Sequence, residues 1–113
     1  MKIKFDTQEL VNALTKASKA FPQNGTCRLE VKLAEGKYYL NVIAYNEVDL
    51  QVQAIAAVEV EEYKDAVLTV CGRKLLEKLF VSLMTINRHF VILREHGMPM
   101  VHPGAARIIS ISI

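Results

Sequence analysis

The chain has 113 residues, 51% of them hydrophobic and 23% charged, which is enough for one folded domain with its own core. No apolar run approaches the roughly 20 residues that span a bilayer, and the start, MKIKFDTQEL, lacks the apolar segment of a signal peptide. We therefore expect a cytoplasmic protein that does not associate with membranes, and the net charge of +2 alone selects no partner.

The first segment predicts a short strand followed by a capped helix. Residues 2–5 alternate polar and apolar side chains, and Asp6 precedes Glu9 by three positions, the spacing of a capping box. The helix should run from Thr7 to about Ala20. Its core-facing positions recur at helical spacing and are Leu10, Leu14, Ala17 and Phe21. The Pro and Gly of residues 22–25 then end it in a loop.

A β-hairpin is predicted next. Residues 27–33 (CRLEVKL) and 38–44 (YYLNVIA) alternate apolar and polar positions on either side of a turn signal at Gly36. The chain should then bend at Asn46–Glu47.

Residues 48–62 (VDLQVQAIAAVEVEE) predict one long strand. Its alternating apolar positions begin with Val48, Leu50, Val52 and Ala54. A strand of this length should bulge or bend, and we place that irregularity near Ala56–Ala57. A shorter strand, residues 66–70, follows a turn.

A second helix is predicted from Gly72 to about Leu83. Its core-facing residues are Leu75, Leu76, Leu79, Phe80 and Leu83. Strands HFVILRE, MPMV and ARIISISI follow, and Pro99 and Pro103 make the middle one an edge or irregular strand. The order β-α-β-β-β-β-α-β-β-β predicts one α+β domain over residues 1–113, with two helices packed on one side of an antiparallel sheet.

Charge is unevenly distributed along the chain. Residues 1–34 carry six Lys or Arg against three acids, residues 35–65 two against seven, and residues 66–113 six against two. The segment charges are therefore +3, −5 and +4, which sum to +2. Such segregation favours a basic face and an acidic face, although ordinary solvated surfaces produce similar counts.

The basic residues of the two helices are the candidate binding residues. Lys16 and Lys19 lie one turn apart on the first helix, and Lys78 follows Lys74 by four positions on the second. Arg73 and Lys74 occupy the first turn, where the helix dipole disfavours a positive charge by about 0.3–1 kcal/mol. From the residues alone, an ordinary solvated helix face accounts for all of them.

No motif of catalysis or metal binding is present. His89, His96 and His102, with Cys27 and Cys71, show no ligand spacing. There is no nucleophile elbow, and the glycines are too scattered for a phosphate-binding loop. We expect no enzymatic activity, no cofactor and no metal, and two reduced thiols rather than a disulfide.

Several stretches in order resemble the bacterial sliding clamp, the DNA polymerase III beta subunit, and specifically its N-terminal domain. These stretches are MKIKFDTQELVNALTKASKAF, LEVKLAEGKYYLNV, VEVEE followed by LTVCGRKLLEKL, and FVILREHG. The resemblance covers essentially the whole chain, as a single domain. Each stretch is a pattern of apolar spacing with a few polar residues, and their order and spacing carry the likeness together.

The chain also departs from the family pattern. A Leu-Pro-Ile-Leu-like element after the first helix is shortened to PQNGTC, and Cys71–Gly72 stands where the family commonly has Pro-Ala. Asn46 stands where the family has an aspartate. The family's polymerase subunit contains three such domains per chain, whereas this chain has one.

The resemblance implies a role in DNA replication. Sliding clamps form rings of six similar domains around duplex DNA, with the helices lining the hole. For this chain the resemblance implies that the basic residues of the two helices contact DNA phosphates without sequence specificity. These residues are Lys16, Lys19, Arg73, Lys74 and Lys78. A single-domain chain would need to form a homo-oligomer through sheet edges. The last strand, ARIISISI, is one candidate edge, and a central position in the sheet is the alternative.

The alternative implied by the resemblance is a protein-interaction module. In that case the chain keeps the clamp fold and pairs through a sheet edge with a replication clamp or a polymerase component, without binding DNA itself. Binding to a clamp without DNA affinity distinguishes this alternative from the first.

Overall fold

The structure is a computed structural model that describes residues 2–84, 89–93, 100–103 and 108–112, with side chains described for residues 2–79. The described residues form an α+β fold with two helices, as the sequence pattern predicts. Its elements are β1 (Lys2–Asp6), α1 (Thr7–Ala17), β2 (Thr26–Ala34), β3 (Lys37–Tyr45), β4 (Leu50–Glu62), β5 (Ala66–Cys71), α2 (Gly72–Met84), β6 (His89–Leu93), β7 (Met100–Pro103) and β8 (Ile108–Ser112). A 3-10 turn over Ser18–Ala20 extends α1.

The described strands form one sheet in the order β5-β2-β3-β4-β1-β8-β6-β7. The first five strands in this order are antiparallel throughout. The pairing of β6 with β8 is parallel, so the described sheet is mixed, whereas the sequence predicts an antiparallel one. Strand β4 joins two parts of the sheet, because its first half pairs with β3 and its second half, from Ala57, pairs with β1.

The last strand is an interior strand of the described sheet. Strand β8, which lies within ARIISISI, pairs with β1 on one side and with β6 on the other. It is therefore a central strand of the described sheet and does not provide a free edge for self-association. Strands β5 and β7 form the two ends of the sheet. Strand β7 contains Pro103 and lies at one end of the described sheet, as predicted for the strand with the two prolines.

The core lies between one face of the sheet and the two helices. Helix α1 contributes Leu10 and Leu14, and α2 contributes Leu75 and Leu79, all of them fully buried. The sheet contributes inward side chains from β1 to β5: Ile3, Phe5, Cys27, Leu29, Val31, Leu40, Val42, Ala44, Ile55, Leu68 and Val70. The predicted core positions Phe80 and Leu83 lie outside the side chains that the structure describes.

Local hydrogen bonds explain the ends of several elements. The Asp6 carboxylate accepts from the backbone N–H of Glu9 at 3.0 Å, which confirms Asp6 as the N-cap of α1. The hairpin between β2 and β3 turns through positive φ angles at Glu35 (50°) and Gly36 (76°). The Asn46 side-chain oxygen accepts from the N–H groups of Val48 and Asp49 at 2.8 and 2.7 Å, which fixes the predicted bend.

The first half of β4 has the opposite orientation from that suggested by its apolar pattern. Directly paired residues of antiparallel strands share a face, and Ile55 pairs with the buried Leu40. Leu50 and Val52 therefore point away from the helices and are 66% and 54% exposed, while Gln53 is half-buried on the helix side. The expected irregularity is present slightly later, as two register shifts of β4 against β1.

Cys27 gives the fold a dependence on alkaline pH. Burial, with a smaller contribution from Cys71, raises the pKa of the Cys27 thiol from 9.0 to about 12. Above pH 9 the unfolded chain loses this proton first, so the free energy of unfolding should decrease as the pH rises towards 12. Chemical denaturation between about pH 8 and about pH 10 should show a steeper loss for the native chain than for Cys27→Ala. Equal slopes for the two proteins would contradict this prediction.

Candidate nucleic-acid interface

The two helices lie side by side and leave their basic residues exposed. Helices α1 and α2 contact each other, and both pack against the inner face of the sheet. The five predicted phosphate-binding residues, Lys16, Lys19, Arg73, Lys74 and Lys78, are all exposed. The fold therefore brings them to the surface of one helical layer.

The lysines of the first helix occupy different local settings. Lys16 lies in the last turn of α1 and lines a shallow groove against β4, together with Glu9, Asn12 and Gln53. Lys19 lies one turn later, in the 3-10 turn that leads into the loop of residues 22–25. The first helix thus presents one lysine beside the sheet edge and one near the end of the helix.

Arg73 connects the start of α2 to the loop that follows the first helix. Its guanidinium donates from Nη1 to the Gln23 carbonyl at 2.9 Å and from Nη2 to the Pro22 carbonyl at 3.4 Å. Its aliphatic stem lies 3.1 Å from the position of a Cβ at Gly25, whose φ of +75° already favours glycine. In the same place the Gly72 N–H donates to the Gly25 carbonyl at 2.8 Å. Arg73 therefore holds the loop as well as presenting a charge.

Replacing Arg73 with lysine should separate these two roles. Lysine keeps the positive charge, but its compact ammonium lacks the planar fork that reaches both carbonyls. We expect the free energy of unfolding to fall by about 1 kcal/mol. Thermal or chemical denaturation checks this value, with Lys74→Arg as the control at the adjacent exposed position. A similar loss in both variants would show that the loop contacts of Arg73 contribute nothing specific.

The exposed face of α2 carries two lysines one turn apart. Lys74 and Lys78 are separated by four residues and lie on the same side of the helix, with Glu77 beside them. Residues 7–20 and 72–79 together contain five Lys or Arg residues and two carboxylates, Glu9 and Glu77. The helical layer thus has a surplus of three positive charges over these residues.

Three of the five Lys and Arg residues on β1–β5 are paired with carboxylates, whereas Lys2 and Lys37 have no such partner among the described side chains. Lys4 lies 3.3 Å from Glu59 and 3.4 Å from Glu61, and Glu59 is the main cause that raises the pKa of Lys4. Arg28 and Lys32 lie 2.7 and 3.4 Å from Glu30. Within residues 2–79, no carboxylate lies at salt-bridge distance from any of the five helix cations. The two sides of the domain therefore differ in how far their positive charge is neutralised.

The sequence did not reveal the close packing at the start of α2. A Cβ on Gly72 would lie 2.4 Å from the ring of Phe21, so the helix backbone passes directly over this aromatic side chain. The sequence correctly predicts a loop at residues 22–25 and a second helix that begins at Gly72. Nothing in it indicated that segments about fifty residues apart meet there, since that contact depends on the packing of the two helices.

Other kinds of site gain no support from the described residues. No group of three or more His, Cys, Asp or Glu side chains comes together among them, and His89, His96 and His102 lie outside the described side chains. Cys27 and Cys71 are free thiols. No helix in the described ranges has the length and apolarity to cross a membrane.

Comparison with known proteins gives no family assignment. No family model matches the chain, and no curated protein or solved structure shows significant similarity to it. The likeness to sliding clamps therefore depends on the residue patterns of the chain itself.

Proposed function

We propose that this chain is a sliding-clamp-like DNA-binding module that self-associates and contacts duplex phosphates without reading bases. The observation that carries the proposal is the unpaired charge of the helical layer. Five exposed cations lie on two adjacent helices and have no carboxylate at salt-bridge distance within residues 2–79, whereas Lys4, Arg28 and Lys32 on the sheet are neutralised.

The chemistry of these residues suits a polyanion. Long, exposed Lys side chains act as mobile point charges, which attract phosphates without fixing the register of the duplex. Contacts of this kind release counterions and weaken steeply as salt rises. They are compatible with movement along DNA, as a clamp requires.

Self-association is part of the proposal because one copy has a weak field. A surplus of three charges on the helical layer gives little attraction at physiological ionic strength, where the screening length is about 8 Å. Several copies arranged with their helices on a common side would add their charges along the duplex. DNA binding should therefore depend on protein concentration more steeply than binding of a single site does.

The test measures mass in solution over a range of protein concentrations, with and without duplex DNA. We expect oligomers at high concentration, and binding to unrelated duplex sequences with equal affinity and a steep salt dependence. A strictly monomeric protein with no DNA affinity at low salt would overturn the proposal.

A second function is favoured by the outward apolar residues of β4. Leu50 and Val52 expose apolar surface on the face opposite the basic helices. This surface suits an interaction module that pairs with a replication clamp or polymerase component. If this chain co-purifies with a replication clamp and shows no affinity for DNA, the second function is favoured over the first.

A further inference from the structure

We propose that the first half of β4 pairs, as an antiparallel neighbour, with β5 of a second copy, so that copies join head to tail in one continuous sheet. The inference deepens the self-association in the proposed function and rests on it for its biological meaning. It assigns the partner, the two strands and the register.

Both strands have an open side among the described strands. Strand β4 pairs with β1 only from Ala57 onward, so Leu50–Ala56 has no described strand on the side away from β3, where Glu9, Asn12 and Lys16 of α1 line a groove beside residues 53–56. Strand β5 pairs with β2 and is the end of the sheet. The open part of β4 spans seven residues and β5 spans six, so the two edges match in length.

Each edge also exposes apolar side chains on the outer face of the sheet. Leu50 and Val52 on β4 are 66% and 54% exposed, and Val67 on β5 is 54% exposed. An edge strand with exposed apolar residues readily pairs with another strand, and soluble proteins usually protect such edges with charged residues. Neither Leu50–Ala56 nor Ala66–Cys71 contains a charged residue.

The existing sheet suggests the register. Val52 pairs with Ile43, Ile43 with Arg28, and Arg28 with Thr69, so these residues form one row across four strands. Repeating that row places Thr69 of the second copy beside Val52. The same register places Val67 beside Ala54 and Cys71 beside Leu50, and it extends the outer face without interruption.

Charge complementarity selects β5 of a second copy as the occupant. The open half of β4 is preceded by Glu47 and Asp49, and β5 is followed by Arg73 and Lys74. Antiparallel pairing brings these oppositely charged ends together. Antiparallel pairing of Leu50–Ala56 with the same segment of another copy would instead place Glu47 of each copy opposite Glu59 of the other, which brings like charges together.

The arrangement keeps the helices of successive copies on the same side. Because the sheet continues from copy to copy, its inner face and the helices that cover it continue as well. Each added copy thereby contributes Lys16, Lys19 and Lys78 to the basic helical layer, whereas Arg73 and Lys74 lie at the junction with Glu47 and Asp49 of the neighbouring copy. Head-to-tail contacts of this kind produce a closed ring or an open filament, according to the rotation between copies.

The first test compares two matched substitutions on β4. Val52→Lys introduces a charge in the open half, whereas Val58→Lys introduces it at a position of similar exposure beyond that half. We expect the mass in solution, measured without DNA, to fall to that of a monomer for Val52→Lys and to remain oligomeric for Val58→Lys. Monomeric native protein, or equal effects of the two substitutions, would overturn the inference.

The second test uses the native cysteine to report the register. Leu50→Cys should form an intermolecular disulfide with Cys71 of the next copy under mild oxidation, giving multimers on a non-reducing gel. The double variant Leu50→Cys/Cys71→Ser should give none. Cross-linking of the double variant would show that position 50 of two copies meets, which the proposed register does not allow, and would overturn the inference, as would no cross-linking of the single variant. Because both tests omit DNA, the strand pairing can be disproved while DNA binding is still observed. Likewise, DNA binding can be disproved while the strand pairing is still observed.

Discussion

Replacing both Lys74 and Lys78 with glutamine should weaken binding to duplex DNA and reduce its dependence on salt. The two lysines lie one turn apart on the exposed face of α2, so one stretch of phosphates can contact both. Each lost phosphate contact reduces the slope of log affinity against log salt by about 0.9, hence by about 1.8 for two. If the salt-independent part of binding is unchanged, affinity at about 0.1 M salt falls by roughly 60-fold.

The control variant removes the same charge from a different surface. Lys37 and Lys64 are exposed, outside both helices, and their replacement by glutamine also lowers the net charge by two. Affinity measured over a salt series should fall strongly for the α2 pair and only slightly for this control. Equal losses would indicate a general field effect with no binding face, and no loss in the α2 variant would remove α2 from the interface.

The features that could be predicted from sequence are those fixed by nearby residues. Asp6 caps α1 through a hydrogen bond to Glu9, three positions along the chain, so a short motif suffices to find it. The turn at Gly36 and the bend at Asn46 depend on local backbone preferences in the same way. Amphipathic spacing correctly placed Leu10, Leu14, Leu75 and Leu79 in the core, since period alone separates the two faces of a helix.

The features that could not be predicted depend on contacts between distant segments. Alternation shows that β4 has two faces, but its pairing with β3 decides which face is inward, and Ile55 rather than Val52 is the buried residue. The interior position of β8 likewise depends on pairing with β1 at the opposite end of the chain. For the candidate interface, sequence identified the exposed cations but missed the carbonyl contacts of Arg73, which join segments fifty residues apart.

Charge segregation along the chain has a structural counterpart in the sheet. The acidic run of β4 includes Glu59 and Glu61, which pair with Lys4 on the neighbouring strand β1. Part of the N-terminal positive charge is therefore neutralised across the sheet, and part of it, on Lys16 and Lys19, is not. The net charge of each segment could not distinguish Lys4 from Lys16 and Lys19, because only the pairing of β1 with β4 brings carboxylates close to Lys4.

Replacing Gly72 with alanine should destabilise the domain, against the usual preference of helices. Alanine is normally favoured over glycine in a helix interior by about 1 kcal/mol. Here the added Cβ would lie 2.4 and 2.8 Å from two ring carbons of Phe21 and 3.1 Å from the Cys27 sulfur. Overpacking in a core costs about 1–3 kcal/mol, which exceeds the gain in propensity at the first residue of a helix. Denaturant titration should therefore give a lower free energy of unfolding for Gly72→Ala.

A second substitution tests whether the Phe21 ring causes this loss. Phe21 is only 7% exposed and packs in the core, so its ring cannot rotate freely away from a new methyl group. Phe21→Leu shortens the side chain at the position of closest approach and destabilises the domain by itself. Since the clash is absent from the double variant, its loss of stability should be smaller than the sum of the two single losses, by about 0.5–3 kcal/mol. Additive losses would mean that Gly72 is required for a reason other than its contact with Phe21.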